Sequence, residues 1–166
     1  MGDETSSPVD AVIFFDANMP NMHKCSAGCK VRETQLCKHR FNFNAKVIHP
    51  TEYISFMRFY DFQIILHCLY LIKGNSRFKY LAENGKFVIV TKDRTFLRDA
   101  QDVWVKKLKP KTRPKLEFGR DFVSCGSWTI KVKLINCKNY GTNGDHDLFC
   151  TIDELNKLWA SRKSDS

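Results

Sequence analysis

The sequence predicts an α/β fold, with a parallel sheet, helices on both faces and a β-rich C-terminal extension. Three observations carry that prediction. Val12-Ile13-Phe14-Phe15 and Phe87-Val88-Ile89-Val90 are continuously apolar, which strands covered on both faces require. Each run ends in an aspartate, Asp16 or Asp93, followed by a turn or helix start. Helical periodicity fills the space between them and follows the second, so the order reads β, α, α, β, α. In an open parallel sheet the strand C-termini share one edge, beside which ligands bind. That edge would receive both aspartates.

Taken in order, residues 1–9 are polar and are expected to form a disordered tail. Ala11 to Phe15 is the first strand. Residues 21–45 are polar and weakly periodic, which suggests an irregular insertion or short helices. Lys46-Val47-Ile48-His49 suits a second short strand. A helix opens at Pro50-Thr51-Glu52; its apolar positions include Ile54, Met57, Phe62, Ile65, Leu66, Leu69 and Ile72, and Gly74 stands where a C-cap belongs. A second helix from about Ser76 to Glu83 is closed by Asn84-Gly85. Arg94 to Val105 is helical, with Phe96, Leu97, Ala100 and Trp104 on one face. From Lys106 the chain turns basic, and Pro110 and Pro114 argue against a regular helix. Strands are expected within 116–137, above all Trp128 to Leu134, whose alternation suits a half-exposed strand. Thr151-Ile152-Asp153-Glu154 resembles a capping box opening a last helix. Residues 10–166 read as one domain, with the insertion at 21–45 and the extension from about 106.

Composition narrows the function classes. The length, 166 residues, suits one domain, and 43% hydrophobic with 27% charged residues is ordinary for a globular protein. The stretch Phe62 to Ile72 is too short to span a bilayer and contains Gln63 and His67. The N-terminal Met1-Gly2-Asp3-Glu4-Thr5 does not look like a signal peptide. The expectation is an intracellular protein, cytoplasmic or nuclear, with no membrane partner. Lys and Arg number 27 against 18 Asp and Glu, a net charge of +9 that favours polyanions, nucleic acid first, although a solubilising surface gives the same balance. Seven cysteines without a secretory leader point to reduced thiols.

Two motifs carry a family resemblance. Phe14-Phe15-Asp16-Ala17-Asn18-Met19-Pro20 resembles the opening strand, aspartate and Asn-x-Pro turn of the PIN-like nuclease superfamily, particularly its compact prokaryotic-type members. Gly85-Lys86-Phe87-Val88-Ile89-Val90-Thr91-Lys92-Asp93-Arg94-Thr95-Phe96 resembles its later strand and Thr-x-Asp-x-x-Phe. The resemblance covers about residues 10–105. It implies a three-layer PIN-like fold, three or four acids at one sheet edge, Mg²⁺ or Mn²⁺, and hydrolysis of RNA. Asp16 and Asp93 match family acids directly. Thr95 stands where the family often has an aspartate, and Asn75 and Ser76 stand where it expects an acid. Asp99 and Asp102 are candidates for the missing charge, with Glu52 and Asp61 on the long helix as further ones. Arg98 could instead engage Asp99 in a surface ion pair. Helix capping is the bland explanation of Asp16 and Asp93, since Asp is a favoured N-cap.

His23-Lys24-Cys25-Ser26-Ala27-Gly28-Cys29 and Cys37-Lys38-His39 offer Cys25, Cys29, Cys37 and His39 as ligands for a structural Zn²⁺. Buried thiols are the alternative. Cys68, Cys125, Cys137 and Cys150 lack paired spacing and suit a core. Lys106, Lys107, Lys109, Lys111 and Arg113, with Lys92 and Arg94 beside Asp93, are the candidate nucleic-acid contacts; a solvated linker is the alternative for the loop. The leading expectation is a metal-dependent endoribonuclease using Asp16, Asp93 and Asp99, with Asp102 as a further metal ligand. The alternatives are a catalytically degenerate relative that binds RNA or a protein partner, a homodimer included, and a zinc-containing interaction module.

Overall fold

A computed structural model of the chain describes residues 8–16, 41–48, 60–134 and 155–157. The elements are β1 (Ala11–Phe15), β2 (Ala45–Ile48), α1 (Tyr60–Lys73), α2 (Ser76–Glu83), β3 (Phe87–Thr91), α3 (Phe96–Lys106), β4 (Glu117–Phe118), β5 (Phe122–Cys125) and β6 (Trp128–Leu134). They build a six-stranded, mixed α/β sheet in the order β2-β1-β3-β6-β5-β4. The β2–β1, β1–β3 and β3–β6 pairs are parallel, and β6–β5 and β5–β4 are antiparallel. The β-rich C-terminal part is therefore not an appendage. β6 completes the hydrogen bonding of β3, and β5 and β4 extend the same sheet as a meander.

The strands chosen by their apolar runs are the fully buried ones. Every residue of β1 and β3 is buried. Side chains alternate across the sheet, so Val12 and Phe14 join Phe87 and Ile89 on one face, under α1, α2 and α3. Ala11, Ile13 and Phe15 join Val88 and Val90 on the other, with Leu155, Phe41 and Phe43. The three helices share a face for a topological reason. The β2-to-β3 and β3-to-β4 connections step the same way across the sheet, and right-handed crossovers then fall on one side. The β1-to-β2 connection steps the other way, and Phe41 and Phe43 at its end pack on the opposite face. Truncating a fully buried side chain such as Phe14 costs on the order of 3–5 kcal/mol.

Local chemistry ends the elements where expected. Gly85 has φ 71°, and the Lys86 amide donates to the Leu81 carbonyl at 2.8 Å, which closes α2 as a Schellman turn. Gly126, with φ 62°, opens the two-residue hairpin loop between β5 and β6. The Arg77 Nε donates to the Val9 carbonyl at 2.8 Å, fastening α2 to the start of β1. Among the described residues no helix is long and apolar enough to cross a membrane. Cys68 is buried in the core, and burial pushes its thiol up. Residues 49–59, the Thr151 capping box, Cys137 and Cys150 lie outside the described residues.

Candidate functional site

The strand order reverses between β1 and β3, because the chain leaves β1 toward β2 and returns to β3 on its other side. Such a reversal opens a crevice at the strand C-termini. Asp16 directly follows β1 and Asp93 follows β3, so both reach that crevice. α1 brings Asp61 in its first turn, and α3 brings Asp99 in its own. Carboxylate oxygens of Asp61, Asp93 and Asp99 all lie within 4.8 Å of one another.

Asp16 sits beside this trio, 2% exposed and held by hydroxyl groups. The Tyr60 hydroxyl donates to its Oδ1, and the Thr91 hydroxyl donates to its Oδ2 at 2.6 Å. Thr91 Oγ1 in turn accepts from the Asp93 amide at 3.0 Å, so one buried threonine fixes both strand ends. Asp93 Oδ1 accepts from the Thr95 amide at 2.9 Å. The Thr95 hydroxyl lies 2.8 Å from Asp93 Oδ1 and 2.7 Å from Asp99 Oδ2. With one proton it serves one carboxylate at a time, so the pair keeps acceptor capacity for a cation.

Thr95 and Asn75, which stand where the resemblance expects acids, take other parts. The Thr95 hydroxyl lies between the carboxylates of Asp93 and Asp99. Asn75 caps α2, its Oδ1 accepting from the Phe78 amide at 3.0 Å, and takes no part in the acidic group. Asp61, first a secondary candidate, supplies the third carboxylate. Its pKa is raised to about 7 by burial, then by the charges of Asp93, Asp16 and Asp99. Those causes join all four aspartates into one electrostatic unit.

The other candidates divide by place. Asp102 is exposed on α3 and outside the close group. Arg98 Nε lies 4.0 Å from Asp99 Oδ1, both side chains largely exposed, an ion pair worth little. Lys92 and Arg94 are exposed beside Asp93. Lys106, Lys107, Lys109 and Lys111 are exposed but begin at the far end of α3. Along that helix Lys106 stands seven residues beyond Asp99, a rise of about 10 Å. Arg113 is turned inward: its Nη1 donates to the Trp104 and Val105 carbonyls at 2.9 and 3.3 Å. Asp93 is not the helix cap that the bland explanation expects, since Thr95 is the N-cap of α3. It accepts from the Thr95 amide in a local turn, while Asp16 is held by hydroxyls from other elements. Glu52 and the Cys25, Cys29, Cys37 and His39 group lie outside the described residues. Tyr60 is the residue that sequence reasoning missed, since nothing in a tyrosine at a helix start signals its partner. Thr91 left a trace, a polar residue closing an otherwise apolar strand.

No family model, curated protein or solved structure matches this chain.

Proposed function

We propose that the chain is a metal-dependent endoribonuclease of PIN-like type, cutting RNA phosphodiester bonds at the acidic crevice. The observation that carries this reading is the convergence of Asp61, Asp93 and Asp99 within 4.8 Å, beside Asp16, at the strand-order reversal. Two oxygens bound to one Mg²⁺ at about 2.0–2.1 Å lie no farther apart than about 4.0–4.2 Å, so carboxylates within 4.8 Å of one another need draw in only slightly to share such an ion. An all-carboxylate donor set also favours hard ions of that kind. Asp61, Asp93 and Asp99 would hold the ion, with Asp16 alongside. Bound there, the ion would polarise the phosphodiester and lower the pKa of a bound water.

The remaining residues have definable tasks. Tyr60 and Thr91 orient Asp16 through its two oxygens. A proton on Asp61 near neutral pH relieves repulsion among the four acids until a cation displaces it. Lys92 and Arg94, flanking Asp93, would draw the substrate phosphate against the negative field. The three-layer arrangement of the PIN-like fold belongs to this same reading.

Cleavage of labelled single-stranded RNA tests the reading. Cutting is expected with Mn²⁺ or Mg²⁺, none in EDTA, and none with Asp16→Asn or Asp93→Asn. RNA binding without Mn²⁺ uptake or cleavage would overturn it and leave a catalytically degenerate relative. Stoichiometric zinc lost with Cys25→Ser would instead favour an interaction module.

A further inference from the structure

Residues 106–116 contain five lysines, one arginine and no acidic residue. Such a run is ordinarily a solvated linker. Here it is folded against its neighbours. The Arg113 guanidinium lies 4.2 Å from the Trp104 ring centroid and donates to two carbonyls in the last turn of α3. Those carbonyls have no partner within the helix, and a cation there also meets the negative end of the helix dipole. The Trp104 Nε1 donates back to the Pro114 carbonyl at 2.6 Å, and the Thr112 and Arg113 amides both donate to the Lys109 carbonyl at 3.0 Å. The Trp104 ring further packs on Phe118 of β4, 5.6 Å between centroids.

Pinned this way, the segment displays Lys106, Lys107, Lys109, Lys111 and Lys115 to solvent. No carboxylate among the described residues pairs with them. Topology fixes where they stand. β4 is antiparallel to β5, β5 to β6, and β6 is parallel to β3. β4 therefore begins at the edge where β3 begins, and the chain between α3 and β4 turns at that edge. The acids lie at the other.

We infer that residues 106–115 form a preorganised strap that grips an RNA phosphate backbone at the sheet edge opposite the acids, so that the substrate is a strand long enough to reach both. The choice of RNA as the polyanion rests on the proposed function. The rise of about 10 Å from Asp99 to Lys106 corresponds to roughly three nucleotides at about 3.4 Å each, and crossing the rest of the strap takes more. Clamping by Arg113 lowers the ordering cost of binding, which a loose linker would have to meet.

Fluorescence anisotropy of a labelled 20-nucleotide single-stranded RNA, measured on the full chain in EDTA over a salt series, tests the strap. For a Lys107→Gln, Lys109→Gln, Lys111→Gln triple variant, the slope of log affinity against log salt should shrink by about 2, given about 0.7 per phosphate contact. Affinity at low salt should fall at least about tenfold. An unchanged slope and affinity would overturn the strap. Vesicles of phosphatidylcholine with one quarter phosphatidylserine give the other arm: strap-dependent vesicle binding beside unaffected RNA binding would assign the surface to membranes instead. With Mn²⁺ present, the wild type should cut the 20-nucleotide RNA with a lower KM than a 4-nucleotide one, and the triple variant should lose that advantage through KM. Equal KM values for both lengths would overturn two-edge engagement. If the wild type takes up no Mn²⁺ yet RNA binding still depends on the lysines, the acidic-site reading falls and the strap stands.

Discussion

At one edge of the sheet four carboxylates are gathered from the residue after β1, from α1, from the turn after β3 and from α3; at the other, five lysines come from a single stretch of ten residues. The acidic edge is assembled across the fold, from Asp16 to Asp99, and its members repel one another. Neutral hydroxyls from Tyr60, Thr91 and Thr95 hold it together, and burial first, then the neighbouring carboxylates, raise the pKa of Asp61. The basic edge is local, and its clamp uses the one arginine of the run, leaving the lysines outward. The contrast teaches that a concentrated site of like charge needs tertiary scaffolding to exist, whereas a basic surface needs only a fixed backbone.

The contrast breaks most visibly at the acids. Asp93→Asn should remove Mn²⁺-dependent cleavage by more than the roughly 10–100-fold that loss of an outer metal partner costs. Isothermal titration with Mn²⁺ should show the same loss of binding, and retained affinity would separate Asp93 from the site. Tyr60→Phe keeps the ring and deletes only the hydroxyl on Asp16. It should weaken Mn²⁺ binding about tenfold at unchanged stoichiometry, and wild-type affinity would reduce that hydrogen bond to packing.

Arg113→Ala acts on the other edge. It should cost about 1–2 kcal/mol in chemical denaturation and speed trypsin cleavage after Lys106, Lys107 and Lys111. Mn²⁺ affinity should not change; a change would mean that the two edges are coupled.

The smallest effect concerns the burial of Asp61 among the other acids. Asp61 binds a proton up to about pH 7 in the folded chain but only up to about 3.8 in an ordinary environment. The folded state therefore holds more protons across that window, and metal-free stability from this group falls as pH rises through it. Asp61→Asn should flatten that dependence and raise the melting temperature at pH 8 without metal, while weakening Mn²⁺ binding. Melting curves in EDTA from pH 4 to 8 would show it, and a steeper fall in the variant would contradict the assignment.

Much of this was legible in the residues. The buried strands β1 and β3 announced themselves as unbroken apolar runs, because strands covered on both faces have no polar side to display. Asn84-Gly85 marked the end of α2, since few residues besides glycine accept a positive φ. Trp128 to Leu134 was recognisable as a strand, but not as the partner of β3: alternation reports that one face is wetter and says nothing of which neighbour completes the ladder. Asp16, Asp93 and Asp99 were readable as candidates from their motifs and helix positions. Tyr60 was not, and Asp61 stood only in reserve, because helix periodicity does not say which end of α1 meets the sheet edge.

Hydrophobic period and local turn chemistry are enough to set the α/β class, the strands at the centre and the pair of aspartates that follow them. That Asp61 joins Asp93 and Asp99, that Asp102 does not, and that the lysine run faces the opposite edge emerge with the folded chain. Those outcomes depend on strand order and helix direction, which arise from packing between segments distant in the chain.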